Sequence, residues 1–232
     1  MLTAEEWGIM LLSLKVSGIA IAATLPVAFA LAWVLARGRF PGRFLLDGIV
    51  YLPLVLPPVV TGWLLLLAFG PEGPAGRFLE RALGVSLMFR WTGAALAAAI
   101  MALPLMVRAI RLSIEAVDRR LEGAARTLGA SPWRAFLTVT LPLSLPGVLA
   151  GAVLGFARSI GEFGATITFV SNIPGETRTL PLAIYSALQI PGSEALVTRL
   201  ALISVALSLG AVILSEALAR RSRMNERMGH VL

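Results

Sequence analysis

Residues able to do chemistry are few in this chain, and they stand in apolar surroundings. Arg158 and Glu162 lie four apart within an apolar stretch. That spacing puts both on one helical face and lets opposite charges pair. A pair inside or near a bilayer faces a bundle interior or a wet cavity. It is then either a structural pair at the outer membrane edge or a direct participant in passing an anion. A second polar point, Thr61, follows the run Tyr51-Leu-Pro-Leu-Val-Leu-Pro-Pro-Val-Val, which holds Pro53, Pro57 and Pro58. Proline removes an amide donor, and membrane helices carry it where neighbours re-pair the freed carbonyls. The run predicts a sharp bend, either a packing kink or a deformable wall of a pathway. Pro57, Pro58, Thr61, Arg158, Glu162 and Thr166 form the candidate pathway or gating set.

Other chemistry is poorly provided for. There is no Cys and a single His, His230, too little for thiolate chemistry, a zinc centre or a Ser-His-Asp arrangement. A phosphate-binding loop needs Gly-Lys followed by Ser or Thr, whereas the only lysine, Lys15, sits between Leu14 and Val16. The chain therefore carries neither a nucleotide-hydrolysing site nor a credible catalytic one, and no metal or cofactor of its own is expected.

The elements that hold these residues follow from composition. Of 232 residues, 57% are hydrophobic and 14% charged, against about 45–50% and about 25% in soluble domains. Mean hydropathy is +0.84. Crossing about 30 Å of hydrocarbon takes about 20 mostly apolar residues in a helix. Five stretches meet that test: Ile9–Ala36, Leu45–Phe69, Thr92–Val107, Leu143–Phe163 and Leu200–Ala219. The third is short unless it runs on to Ile114, past Arg108 and Arg111. The expected class is an all-α integral membrane protein with one transmembrane domain over residues 1–232. Gly147, Gly151 and Gly155 recur every four residues in the fourth stretch, which allows close helix approach, within the chain or between two copies.

Charge sets the orientation. Glu5 and Glu6 precede the first basic residue, Lys15, unlike the positive start of a cleaved signal. With the N-terminus outside, inner segments hold thirteen basic residues and outer ones five. That asymmetry favours a cytoplasmic C-terminus. It also explains the isoelectric point of 11.3 through a membrane surface, with no nucleic acid involved. Lys15 is expected to snorkel outward. The outer stretch from Ser171 to Arg199 contains Pro174-Gly175, Pro181 and Pro191-Gly192. Its apolar segment Leu180–Ile190 is too short to span and reads as an interfacial or re-entrant helix.

Between the third and fourth spans lies an inner loop at about residues 113–142. Val117, Leu121, Ala124, Ala125 and Leu128 recur at three and four, one face of a helix. Gly129 is a stop signal, and Ser131-Pro132 a cap and first turn. A second short helix carries Trp133, Phe136 and Leu137 and is expected to end at Pro142. The first helix has a small apolar face without aromatics, suited to a protein groove more than to lipid.

This loop resembles that of permease subunits of ABC importers, with Ala124, Ala125, Gly129, Val139, Leu141 and Pro142 in the family's places. Gly123 stands where the family has Glu, and Glu122 comes one residue earlier. Tyr51 to Val60 and Phe156 to Pro181 resemble molybdate permeases, and Gly-Glu-Phe-Gly-Ala with Asn-Ile-Pro-Gly is similar to sulfate permeases as well. The resemblance implies a type I importer permease in the plasma (inner) membrane, paired with a second copy. It implies two cytoplasmic ATPase subunits, which carry the ATP and Mg, and an external molybdate-binding protein. The substrate implied is molybdate, with tungstate beside it. The ATPase-coupling residues implied are Leu121, Glu122, Ala124, Ala125, Leu128, Gly129, Trp133, Phe136 and Pro142. A sulfate or thiosulfate permease of the same architecture, and a non-transporting membrane scaffold, are the alternatives. Because the chain has no native Cys, single cysteines introduced at residues 118–140 test the orientation. They should react in intact cells only with membrane-permeant thiol reagents.

Overall fold

The computed structural model describes residues 2–228, with side chains up to residue 214 and at Ala217. Every element is a helix among the described residues: α1 Ala4–Arg37, α2 Arg43–Val55, α3 Pro58–Phe69, α4 Pro74–Leu83, α5 Trp91–Ala116, α6 Arg119–Thr127, α7 Pro132–Ala135, a π-helical turn Phe136–Thr140, α8 Leu141–Ile160, α9 Gly164–Val170, α10 Leu180–Leu188 and α11 Glu194–Met228. Four helical stretches, Ala4–Arg37, Trp91–Ala116, Pro132–Ile160 and Glu194–Leu214, are long and apolar enough to cross a membrane. The bent pair α2 and α3, counted as one broken span, makes a fifth. His230 lies outside the described residues.

Helix α1 starts on a capping box: the Glu6 amide donates to Thr3 Oγ1 at 3.2 Å and the Thr3 amide to Glu6 Oε2 at 2.6 Å. At 34 residues it is about 50 Å long, with length to spare beyond the hydrocarbon. Helix α5 is the centre of the bundle and touches α1, α2, α8 and α9. Its buried residues include Ala94, Ala95, Ala97, Ala98 and Ala102, which let neighbours come close. The first half of α5 packs with Val16 and Ala20 of α1, Leu65 of α3, and Ala165 and Phe169 of α9. The second half packs with Ala28, Ala32 and Leu35 of α1 and Val50 of α2. Thus α1 and α5 run the same way, α2–α3 and α8–α9 run back, and α11 returns beside α10 and Ile9. Five alternating passes result.

Several expected boundaries move. The third span runs on to Ala116, past Arg108 and Arg111, because Arg111 is neutralised: Nη1 lies 2.6 Å from Asp47 Oδ1 and Nε 2.8 Å from Glu115 Oε1. The last span starts at Glu194 rather than Leu200, and the short outer helix ends at Leu188 rather than Ile190. The fourth span stops at Ile160 rather than Phe163. Pro142 does not end a separate helix; α7, the π-turn and α8 are continuous from Pro132 to Ile160. The π-turn closes with the Leu141 amide on the Phe136 carbonyl, and that wider turn takes in the proline. Val117 lies ahead of the Asp118 cap and is buried, so it is not on the face of α6.

The glycine stripe works within the chain. A Cβ on Gly147 would sit 2.1 Å from Ser113 Cβ, and one on Gly155 2.7 Å from Met106 Cγ. Gly151 likewise meets the Met106 carbonyl and Ile110. Gly147→Ala should push α8 off α5 at a cost of about 1–3 kcal/mol, read as a lower thermal midpoint of the purified protein in detergent. Gly8→Ala, with nothing within 4 Å of the new carbon, should be neutral or slightly stabilising.

Candidate functional site

One candidate site is the elbow formed by α6 and α7. Asp118 Oδ1 accepts from the Arg120 amide at 2.8 Å and starts α6. Its end is a Schellman arrangement: the Gly129 amide reaches the Arg126 carbonyl and the Ala130 amide the Ala125 carbonyl, both at 3.0 Å. Gly129 has φ +90°, and a Cβ there would meet nothing within 4 Å. The demand for glycine is therefore conformational, not one of space. Ser131 Oγ accepts from the Arg134 amide at 3.2 Å and opens α7 at Pro132.

The elbow offers its apolar side chains outward. Leu128 is 89% exposed, Trp133 68% and Leu121 49%; Ala124 is exposed and Ala125 half-buried. Gly123 is exposed with open space around it. Glu122 turns the other way. Its Oε1 accepts from Arg37 Nη2 at 2.8 Å and from Thr140 Oγ1 at 2.6 Å. Phe136 packs edge-on against Trp33 at 4.7 Å and Phe29 at 6.0 Å, and stacks with Trp133 at 5.2 Å. These aromatic rings line an apolar groove of about 680 Å³. Pro142 sits in the first turn of α8.

The other candidate site lies where two spans break side by side. Helices α2 and α3 meet at 116°, and α8 gives way to α9 across Gly161, Glu162 and Phe163. The two breaks adjoin: a Cβ on Gly164 would lie 2.7 Å from Pro58 Cβ, and one on Gly62 2.6 Å from the Ala165 carbonyl. Pro57 is the cap residue of α3 and Pro58 its first residue. Thr61 is buried on α3, Thr166 on α9. The Thr61 and Ser159 hydroxyls have no hydrogen-bond partner among the described residues.

Arg158 and Glu162 do pair, but not on one helix. Arg158 is in the last turn of α8 and Glu162 stands beyond its end. The chain turns at Gly161 and still brings Arg158 Nη1 within 2.7 Å of Glu162 Oε2. The contact is a charge contact without hydrogen-bond alignment. Glu162 Oε1 accepts from the Ala165 amide at 2.8 Å, so this carboxylate, 3% exposed, also starts α9. Together these contacts tie the end of α8 to the start of α9.

Arg37, Trp33 and Phe29 are parts of the elbow that sequence reasoning misses. The signal is present: they stand four apart on one stripe of α1. It is masked because, along the sequence, Arg37 counts only toward charge balance. The opposite end of the bundle is held by further pairs. Arg199 Nε donates to Glu6 Oε1 at 2.8 Å, the Leu180 amide to Ser13 Oγ at 2.8 Å, and Lys15 Nζ lies 3.8 Å from the centre of the Trp91 ring. The last contact is a cation–π pair that occupies the expected snorkelling lysine.

Alternating apolar passes, two adjoining breaks and an exposed elbow define a multi-pass membrane subunit. The chain belongs to the binding-protein-dependent transport system inner membrane components, whose family pattern matches residues 18–224. It is 58% identical to the molybdenum transport system permease protein ModB of Escherichia coli K12, over 98% of this chain and 99% of that one. It is 37% identical to the sulfate transport system permease protein CysT of the same organism, over 86% of this chain and 71% of that one. Its fold is shared with a chain of a bacterial ABC transporter that imports alginate, at TM-score 0.74, 18% identity, and coverage of 95% and 80%.

Removing either member of the pair leaves a charge uncompensated, buried in the case of Glu162. Glu162→Ala and Arg158→Ala should each cost roughly 1–3 kcal/mol, seen as reduced yield and thermal midpoint. The anion preference of the surviving protein should stay unchanged; a shifted preference at normal yield would assign the pair to the pathway instead.

Proposed function

We propose that this chain is the membrane-spanning permease subunit of an ATP-driven importer that passes molybdate, and tungstate with it, delivered by an external binding protein. The observation that carries the substrate is the 58% identity to the molybdenum permease of E. coli over nearly the whole of both chains. The sulfate permease relation is more distant, at 37%. Molybdate and sulfate are both tetrahedral dianions, so size and hydration separate them more than charge.

The elbow end faces the cytoplasm in this reading, because most of the basic residues gather there. A partner ATPase, holding the ATP and Mg, grips the outward apolar face of Leu121, Ala124 and Leu128. The exposed apolar residues of α2 and α3, such as Ile49, Val55 and Trp63, support a second copy packed on this face, with the pathway between the two. Closure of the ATPases then moves each elbow. Because α7 and α8 are continuous, that movement reaches the break at Glu162 without an intervening joint. Pro57, Pro58, Thr61 and Thr166 lie on or beside the adjoining breaks, where the spans bend most easily. A conduit must release its anion, and weak hydroxyl and amide contacts suit that better than a dense arginine cluster.

The test is reconstitution with the partner ATPase and binding protein in vesicles. Molybdate-loaded binding protein should stimulate ATP hydrolysis and drive uptake that excess sulfate does not suppress. Equal suppression by sulfate would favour the sulfate permease, and retention of the ATPase without any flux would make the chain a scaffold. Gly129→Val, which forces a branched residue into left-handed backbone, should lower uptake per ATP hydrolysed by about fivefold or more.

A further inference from the structure

Helix α6 buries none of its own side chains among the described residues. Apolar contacts at its surface resist separation but allow sliding. A lever of this kind transmits force only if something directional ties it to the spans. Arg119, Arg120 and Arg126 of α6 are exposed, and Glu122 is its charged residue turned inward.

The ties of Glu122 are unusual in number. A single oxygen, Oε1, receives both the Arg37 guanidinium at 2.8 Å and the Thr140 hydroxyl at 2.6 Å. Arg37 is the last residue of α1 and its Nη2 also reaches the Val117 carbonyl, at the end of α5, at 3.5 Å. Thr140 closes the π-turn and is fully buried. One carboxylate thus joins the ends of α1 and α5, the elbow helix and the start of α8. Charge-assisted hydrogen bonds of this length are directional and about twice as strong as neutral ones. The Arg37 and Glu122 side chains are 12% and 26% exposed, so solvent screens the contact only in part. The π-turn is a local widening of the kind frequent at functional sites in helices. Phe136, within that turn, wedges against Trp33 and Phe29 of α1, alongside the ion pair.

We infer that Glu122, Arg37 and Thr140 form a strut that carries the elbow's displacement into α1 as well as α8, with Glu122 and Arg37 as positioning residues for coupled transport. The inference rests on the reading of the elbow as the ATPase-gripped element. Glu122 is then committed within the chain and is not the acidic contact to the ATPase.

The experiment compares uptake per ATP hydrolysed in the full vesicle-reconstituted assembly. Wild type is measured against Arg37→Ala, Arg37→Lys, Glu122→Gln, Thr140→Val and the double Arg37→Ala/Glu122→Gln variant. The amount of ATPase co-purified per permease is measured alongside. Arg37→Ala and Glu122→Gln should keep the ATPase bound and hydrolysing while uptake per ATP falls by about fivefold or more. Arg37→Lys should restore part of the loss. The double variant should be no worse than either single one, as expected for residues acting through one contact. Thr140→Val, which removes only a hydroxyl, should give a smaller loss in the same direction, and it decides the matter if Arg37→Ala fails to assemble. Unchanged uptake per ATP in the assembled variants, or strictly additive losses, would overturn the strut. If wild type neither retains the ATPase nor couples hydrolysis to uptake, the elbow reading fails first and the strut with it.

Discussion

A peptide group taken out of water must find its partner within the protein, and that constraint shapes everything in this chain. It makes each crossing a helix and decides where a crossing can be interrupted. An interruption frees several amides and carbonyls at once, and lipid offers them nothing. The two breaks occur side by side, where α3 and α9 cover one another at Gly62 and Gly164. At the second break Glu162 takes up the Ala165 amide. At the first, Pro57 and Pro58 have no amide hydrogen to leave unpaired. The breaks are thus supported by residue types that reduce the number of orphaned groups.

The same constraint separates the two ends of the bundle. Charges gather toward the two ends, and several of them pair across helices. At one end Arg199 meets Glu6 and Lys15 lies over Trp91. At the other, Arg37 meets Glu122, and Arg111 bridges Asp47 and Glu115. Between the ends the contacts are small and close. Alanines of α5 and glycines of α8 let backbones approach, and packing this tight moves as a unit rather than by local yielding. A continuous helical run from Pro132 to Ile160 therefore joins an exposed elbow to a break in the span. That is the arrangement a membrane subunit needs if force applied at one surface is to alter a path in its middle.

Much of the helical layout was legible in the residues. Apolar length showed five crossings, proline clustering showed the bend in the second, and Gly129 with Ser131-Pro132 marked the elbow's corner. The boundaries that shifted did so for tertiary reasons. Arg108 and Arg111 look like the end of a span until Asp47 and Glu115 arrive to neutralise one of them. Pro142 looks like a helix stop until a π-turn accommodates it. Arg158 and Glu162 pair as their spacing suggested, yet across a helix end rather than along a face.

By itself the sequence determined that the protein lives in a bilayer, how often it crosses and which segment forms an exposed double helix. These follow from local quantities: apolar run length, charge asymmetry and the backbone preferences of glycine and proline. Only the tertiary structure decided which way Glu122 points, that the two breaks adjoin, and that the glycine stripe is spent on α5. Those outcomes depend on which distant residue comes near, and no periodicity along the chain encodes a meeting between residue 37 and residue 122.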